Sequence, residues 1–471
     1  MKRNKITRRE FLRASGLAAA GVAAAACVPA APPATPTSAP QLTTAPTQPT
    51  KPPAPAPTAT AAPAPTATVK KQVTLQWWTV PSEDFSEQAQ RALADAFNAS
   101  QKDVKVEISV MPESGFSQKM TTALGANQGA PDVTFFWDTN WLPQALDLAP
   151  FISKDKFDAG MYLQGIYKTN CFFKGATVAL PLGVGCNFVM YNAKVFDEMK
   201  VKYPDVNVAA DEWLKLIPQI TDKSKKRWGG DRPRGPFRAI WLNLGARPWS
   251  EDGKKVEGYL NGPGSVAAYE WFWDLVQTNA TPTPADLELL GTEGTGPVDL
   301  FMAGRLATAT LNQGHLLNAM KANLPFGIVR EPGLTGKDRW VNSWTLAVGI
   351  WKGTKEPEAA WQFLKYWAGP EGQKLLMEKG NLFPSVKSTL SQYPKANEPY
   401  VKAFFTILED KPVREVTSPG WSSTPVLNAV KDVWDNINLG KIKRDEIKKA
   451  LDAAVPAAQK GLDEARAKAG F

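Results

Sequence analysis

Residues Lys174–Phe196 read KGATVALPLGVGCNFVMYNAKVF, and the fold turns on how this stretch is taken. An apolar run, Val178 to Leu182, leads into the breaker Pro-Leu-Gly-Val-Gly. A second apolar run, Phe188 to Tyr191, follows, and Asn-Ala-Lys-Val-Phe then opens a helix. Pro181 fixes one φ angle, and Gly183 and Gly185 accept conformations closed to other residues. Taken alone, the stretch is two buried strands joined by a tight turn. The alternative is one strand that leaves a first lobe, crosses, and enters a second. The rest of the chain chooses between them.

At 471 residues the chain has room for two domains with ample cores. A hydrophobic content of 43% with 21% charged residues is ordinary for a globular protein. The net charge of +9 suggests nucleic acid only until it is located. Lys2, Arg3, Lys5, Arg8, Arg9 and Arg13 stand against the single acid Glu10 in residues 1–27, and Lys51, Lys70 and Lys71 add three more charges. From Val73 onward the chain is near neutral, which gives no electrostatic footprint for nucleic acid.

Thr7-Arg8-Arg9-Glu10-Phe11-Leu12-Arg13 resembles a twin-arginine export signal, followed by a small-residue apolar run from Leu17 to Ala26. That run falls short of the roughly 20 apolar residues a transmembrane helix needs. It ends Ala24-Ala25-Ala26-Cys27, which resembles a lipoprotein cleavage box with Cys27 as the lipidated residue, departing from the usual pattern in having Ala three residues before the Cys. Residues 1–27 are thus expected to be a lipoprotein signal. Residues 28–72 are almost wholly Ala, Pro and Thr, without a periodic apolar pattern, and read as a disordered, extended tether. In a polyproline-like state it reaches on the order of 100 Å. Of the remaining cysteines, Cys171 and Cys186, an oxidising compartment permits a disulfide, and two buried free thiols fit the sequence equally.

The body opens with Val73 to Trp77 alternating at period two, a strand. Ser82 before Glu83 and Asp84 is the expected N-cap of a helix running through Asn98. Val104 to Val110 alternates as a second strand, Phe116, Met120 and Leu124 mark a second helix, and Pro131 to Trp137 is a third strand. Strand and helix alternating at this spacing predict a parallel α/β sheet, with ligands beyond the carboxyl ends of its strands. Further on, 212–221 and 265–276 read as helices and 306–311 and 326–329 as strands. Helices are expected at 400–409, 425–438 and 444–468, with Val426, Val430, Val433, Trp434 and Ile437 on a core-facing stripe.

The order of these motifs resembles the extracellular solute-binding proteins of ABC importers, in particular the sugar-binding family that includes maltodextrin-binding protein (family 1). The pieces that carry the resemblance are Val73–Trp78, Ala130-Pro-Asp-Val-Thr-Phe-Phe-Trp137, Ala179-Leu-Pro-Leu-Gly-Val-Gly-Cys-Asn-Phe-Val-Met-Tyr-Asn192, Leu300–Asn312, Glu356–Trp367 and Gly369–Lys374. It covers nearly all of 73–471. It implies an α/β, two-lobe, periplasmic-binding-protein-like (type II) fold with a ligand cleft between the lobes and three hinge crossings. The first lobe would hold 73–182 plus about 344–382, and the second about 186–340 plus 385–471. The crossings would lie at 181–185, near 340–344 and near 380–384, with Pro181, Gly183 and Gly185 the expected hinge.

Enzymatic readings find little to stand on. There is one histidine, His315, no His/Cys cluster at metal-ligand spacing, no G-x-S-x-G elbow, no phosphate loop and no H-E-x-x-H. No cofactor and no metal are expected. A secreted glycoside hydrolase is the leading enzyme alternative, because paired carboxylates suffice for that chemistry. A polysaccharide-binding surface protein, or a binder of a polyamine, polyol or sugar phosphate, is the alternative within binding.

A sugar presents flat C–H faces and a rim of hydroxyls. Aromatic rings cover the first, and carboxylates, amides and Arg satisfy the second. Among the 17 Trp, those on expected strand ends or loops are Trp78, Trp137, Trp141, Trp241, Trp249, Trp344 and Trp421. The candidate ligand-binding set is Trp78, Glu83, Trp137, Asp138, Trp141, Asn187, Tyr191, Arg247, Asn312, His315, Trp344 and Trp421, with Gln313 beside it. Asp138 reads equally as a turn acid. By the resemblance His315 aligns with the position where related sugar binders place a ligand-stacking aromatic, and it reads equally as a capping or packing histidine. The function implied is a lipid-anchored, extracytoplasmic, monomeric binding protein that captures a mono- or oligosaccharide by hinge closure and delivers it to an ABC permease.

Overall fold

The computed structural model describes residues 71–82, 85–138, 140–233, 235, 238–289, 296–413 and 421–471. The signal, Cys27, nearly all of the tether and Glu83 lie outside the described residues. Strand β1 (Val73–Thr79) pairs in parallel with β2 (Val104–Val110) along its whole length and with β3 (Val133–Phe135) through Trp77 and Val133. Alternation along β1 sends Leu75 and Trp77 inward. The Trp77 ring meets Phe363 at 5.4 Å and Trp367 at 4.6 Å on the helix Pro357–Ala368. The helix after β1 spans Glu87–Ser100, and Ser86 rather than Ser82 caps it, accepting from the Ala89 N–H. Ser82 instead exchanges two backbone hydrogen bonds with Phe85, whose side chain is buried against Phe135. Burying Phe85 needs a turn first, so the helix begins four residues late.

After a two-residue hairpin, β4 (Phe172–Phe173) with β5 (Ala176–Thr177), the opening stretch becomes one continuous strand, β6 (Leu180–Asn192). At about 3.3 Å per residue its 13 residues run roughly 40 Å. It buries Leu180 and Leu182 in one core, with Trp77 and Trp367, and Val189 in another, with Trp213, Trp241 and Phe272. Its opposite face, Cys186, Phe188 and Met190, joins a third cluster with Phe383 and Phe404. One strand serving separate cores is a crossing, not a turn.

β7 (Thr308–Asn312) and β8 (Phe326–Val329) flank the far half of β6, and β9 (Trp340–Ile350) runs antiparallel beside its near half. β10 (Lys411–Val413) adds to the start of β9, and the main sheet runs β2-β1-β3-β9-β6-β7. The sheet is therefore mixed, parallel among β1–β3 and antiparallel where β9 joins β3. The third crossing, Leu382–Val386, lies against β6: the Val184 N–H donates to the Phe383 carbonyl at 2.8 Å and Gly183 bridges Pro384. Late in the chain the expected helix 425–438 is two, Thr424–Ala429 and Lys431–Asn438, parted at buried Val430.

Buried polar side chains lock the near half of the crossings. Gln373, fully buried, donates from Nε2 to the carbonyls of Pro181 (3.0 Å) and Ala368 (2.7 Å), and its Oε1 accepts from the Ser385 and Val386 N–H groups. Ser385 Oγ adds a bond to the Pro181 carbonyl, and Thr345 Oγ1 donates to that of Gly183. Cys171 and Cys186 are both buried and no disulfide joins them. Burial pushes the Cys186 thiol well up.

Candidate ligand-binding cleft

Strand alternation puts Gly185, Asn187, Val189 and Tyr191 on one face of β6. The register seats Gly185 opposite Trp344 on β9 and Asn187 opposite Asn312 on β7. A Cβ on Gly185 would stand 2.6 Å from Trp344 Cε2 and 2.5 Å from the Gln313 amide oxygen. Gly185 has no positive φ. Its lack of a side chain serves close approach, not an unusual backbone angle, which corrects the expectation from sequence. Gly183 is alike: a Cβ there would lie 2.3 Å from Leu382 Cδ1. The half-buried Trp344 indole thus packs close over Gly185 at the crossing, with the Gln313 amide beside it.

One step further, β6 changes neighbours. It pairs with β9 as far as Cys186 and Ser343, and with β8 from Val189 and Val329. Asn187 sits at the fork. Its Oδ1 accepts from Asn342 Nδ2 at 2.6 Å and its Nδ2 donates to the Leu311 carbonyl at 3.3 Å. Past β8 the chain leaves β6, the Arg330 N–H donating to the Val206 carbonyl at 3.0 Å, and Glu331 follows. Glu331 is buried, and burial pushes its carboxyl up to about 7, with Arg238 pulling it down and Asp231 pushing it further up. Asp231 Oδ1 accepts from the Thr310 N–H at 3.0 Å on the edge of β7.

Of the residues expected from sequence, the structure brings Asn187, Asn312 and Trp344 together. Asn312 also caps the helix Gln313–Lys321, its Oδ1 accepting from Gly314 and His315, while His315 Nδ1 accepts from the Asn312 N–H. His315 is therefore a capping histidine, its Nδ1 an acceptor. Trp141 lies in the first lobe's core, 1% exposed, its indole N–H donated to Thr121. Trp421, 3% exposed, packs on Trp249 at 4.9 Å in the second. Neither offers a free face, because the loops that carry them fold inward. Tyr191 lies at the far end of β6, roughly 13 Å beyond Asn187, against Phe196 and Tyr203.

Asp138 closes its own turn, Oδ1 accepting from the backbone and side-chain amides of Asn140. Arg247 stacks over Trp340 at 5.5 Å and donates to the carbonyls of its own loop, and burial lowers its affinity for its proton. Trp137 stacks on Phe135 at 5.1 Å. Trp78, half-buried under the Lys119 ammonium at 4.0 Å, lines an open hollow of about 480 Å³ whose residues all belong to the first lobe. Sequence reasoning missed Asn342, Asp231 and Glu331. Asn342 is polar within β9 and bonds Asn187, Asp231 sits in an irregular segment beside β7, and Glu331 just past β8, so tertiary structure alone sets them apart.

Two lobes joined by three adjacent crossings, with an aromatic ring and side-chain amides at the junction, define a two-lobe binding protein of the periplasmic type. The chain belongs to the bacterial extracellular solute-binding proteins, whose family profile matches residues 92–402. No curated protein matches it by sequence. Among solved structures it is similar to the ABC substrate-binding protein Lmo0181 from Listeria monocytogenes, in complex with cycloalternan, at 20% identity and a TM-score of 0.68 over 85% of this chain and 100% of that one. The sugar-binding protein MalE from Xanthomonas citri follows at 18% identity and 0.68, covering 84% and 99%. MalE from Bdellovibrio bacteriovorus bound to maltotriose stands at 18% and 0.62, covering 83% and 100%. At these identities the likeness establishes the shared fold.

Proposed function

We propose that this protein captures a mono- or oligosaccharide between its lobes by hinge closure and delivers it to the transmembrane subunits of an ABC permease, without turnover. The observation that carries this is the half-buried Trp344 indole packed over Gly185 near Asn187, Asn312 and Asn342, an aromatic ring next to amides able to bond hydroxyls. The saccharides named for the similar structures support it. Micromolar capture corresponds to about −8 kcal/mol, within reach of one stacked ring and a few hydrogen bonds. The lobes divide as 73–182 plus about 344–382 and about 186–340 plus 385–471, moving about the crossings as a hinge. Export by the twin-arginine signal, lipid on Cys27 and the Pro-rich tether would hold a monomeric body near the membrane.

The test is titration calorimetry of the purified protein against maltose, maltotriose, cellobiose, xylobiose and raffinose, with chromatography of the ligand afterwards. Binding with the sugar recovered intact is expected. Steady release of cleaved sugar would replace this reading with a glycoside hydrolase.

A further inference from the structure

The bond between Asn342 and Asn187 does more than bridge β9 and β6. Backbone pairing of the two strands ends at Cys186 and Ser343, and the side-chain bond is the next rung. Alternation puts Asn342 on the face of β9 that carries Trp344, as it puts Asn187 with Gly185 on β6. The two amides therefore stand beside the indole on the cleft side. Their orientations are fixed by chemistry. The Leu311 carbonyl only accepts, so Asn187 turns its Nδ2 toward β7. Its Oδ1 is then left to β9, where Asn342 Nδ2 donates to it at 2.6 Å. Turning Asn187 over would set its oxygen against the Leu311 carbonyl, and turning Asn342 over would set two side-chain oxygens together. After these bonds each amide keeps one N–H, Asn187 Oδ1 keeps one lone pair and Asn342 Oδ1 keeps two. Both residues are half-buried, and the Asn342 oxygen, unbonded among the described residues, is open to solvent.

We infer that Asn342 is a positioning residue of the cleft: it locks the Asn187 amide in one orientation, so that the pair offers a fixed edge of donors and acceptors to two adjacent hydroxyls of a sugar stacked on Trp344. A hydroxyl donates and accepts at once, so adjacent hydroxyls fill both kinds of leftover valence. A carboxylate only accepts and an ammonium only donates, so neither fills the edge alone. Without Asn342, the Asn187 amide keeps one long bond, to Leu311 at 3.3 Å, and holds its orientation weakly. The ligand then has to order it, which costs affinity.

This inference deepens the saccharide reading above and rests on it, and the experiment separates the two. The probe is maltotriose, or the panel sugar that binds best. Asn187→Ala and Asn342→Ala should each weaken its Kd about tenfold, with melting temperatures close to wild type. Because the pair acts as a unit, the double variant should also be about tenfold weaker, not about a hundredfold. Asn342→Asp keeps the size but removes the donor, and should weaken binding at least as far as Asn342→Ala. Deleting the hydroxyls of the bound sugar one at a time should expose two adjacent positions whose loss costs the wild type about tenfold and costs Asn342→Ala little. Multiplying losses in the double variant, wild-type affinity in Asn342→Asp, or an unchanged hydroxyl profile in Asn342→Ala each overturn the role of Asn342 and leave sugar capture standing. No binding by any panel sugar overturns both.

Discussion

Trp344 sits on a strand, where a tryptophan ordinarily packs into a core, yet it is only half-buried and its strand partner is a glycine that its ring crowds. Trp344→Ala should therefore leave the melting temperature nearly unchanged and weaken saccharide binding by about tenfold or more, the range of a central aromatic anchor. A large loss of stability with unchanged Kd would make the ring a core residue. Glu331 makes the opposite trade. Its carboxyl is held at about 7 in the fold against an ordinary 4.5, so between those values the folded state binds a proton that the unfolded chain releases. Stability contributed by the neutral form is thus lost as pH rises from about 4.5 to 7, by up to about 3 kcal/mol. Glu331→Gln should melt higher than wild type at pH 8 and converge with it at pH 4.5, read by thermal scans across pH. These roles were only partly legible in the sequence. Strand-end position picked out Asn187, Asn312 and Trp344. Trp141 and Trp421 carry the same local signal, and only the inward fold of their loops sets them apart. Glu331 lacked any sequence signal, because only its burial in the fold sets it apart from other acids.

Among elements, β6 carries the most information. Its Pro and Gly residues suggested a turn, but they mark a bulge between Pro181 and Val184, where a missing N–H and missing side chains let three crossings lie together. Most strands and helices followed from period alone, because their apolar alternation is local and strong: β8 falls at the expected 326–329, and the helix Pro263–Gln277 within two residues of expectation. The misses have a common cause in tertiary burial, as with Phe85 displacing the helix cap and Val430 parting the helix expected at 425–438. Gln373 is the side chain that fastens these elements, joining the helix Pro370–Gly380 to β6 and to the third crossing. Gln373→Ala strands several buried backbone groups, each worth about 1–3 kcal/mol when unsatisfied. It should lower stability in urea by at least 2 kcal/mol without altering Kd at temperatures where the protein stays folded. A neutral result would mean that water replaces the amide.

At the scale of the whole molecule, the ties between lobes are unevenly spread along the crossings. On the first lobe's side Gln373, Ser385 and Thr345 pin Pro181 and Gly183. Beyond Gly185 the strand exchanges β9 for β8, and the Asn187–Asn342 bond spans the gap. The ladder is interrupted twice, at the bulge between Pro181 and Val184 and at the change of neighbour past Cys186, and we propose that the second, unpinned interruption flexes more than the first. The two glycines should then fail differently. Valine at Gly183 runs into Leu382 of the first lobe's core, so the protein should melt lower while the ligand-induced fall in radius of gyration, measured by small-angle scattering, persists. Valine at Gly185 runs into Trp344 and Gln313, which must turn aside, so closure should shrink and Kd rise together. If Gly183→Val abolishes closure while Gly185→Val preserves it, the lobes flex on the pinned side, and the buried amide network is then part of the moving hinge rather than its anchor.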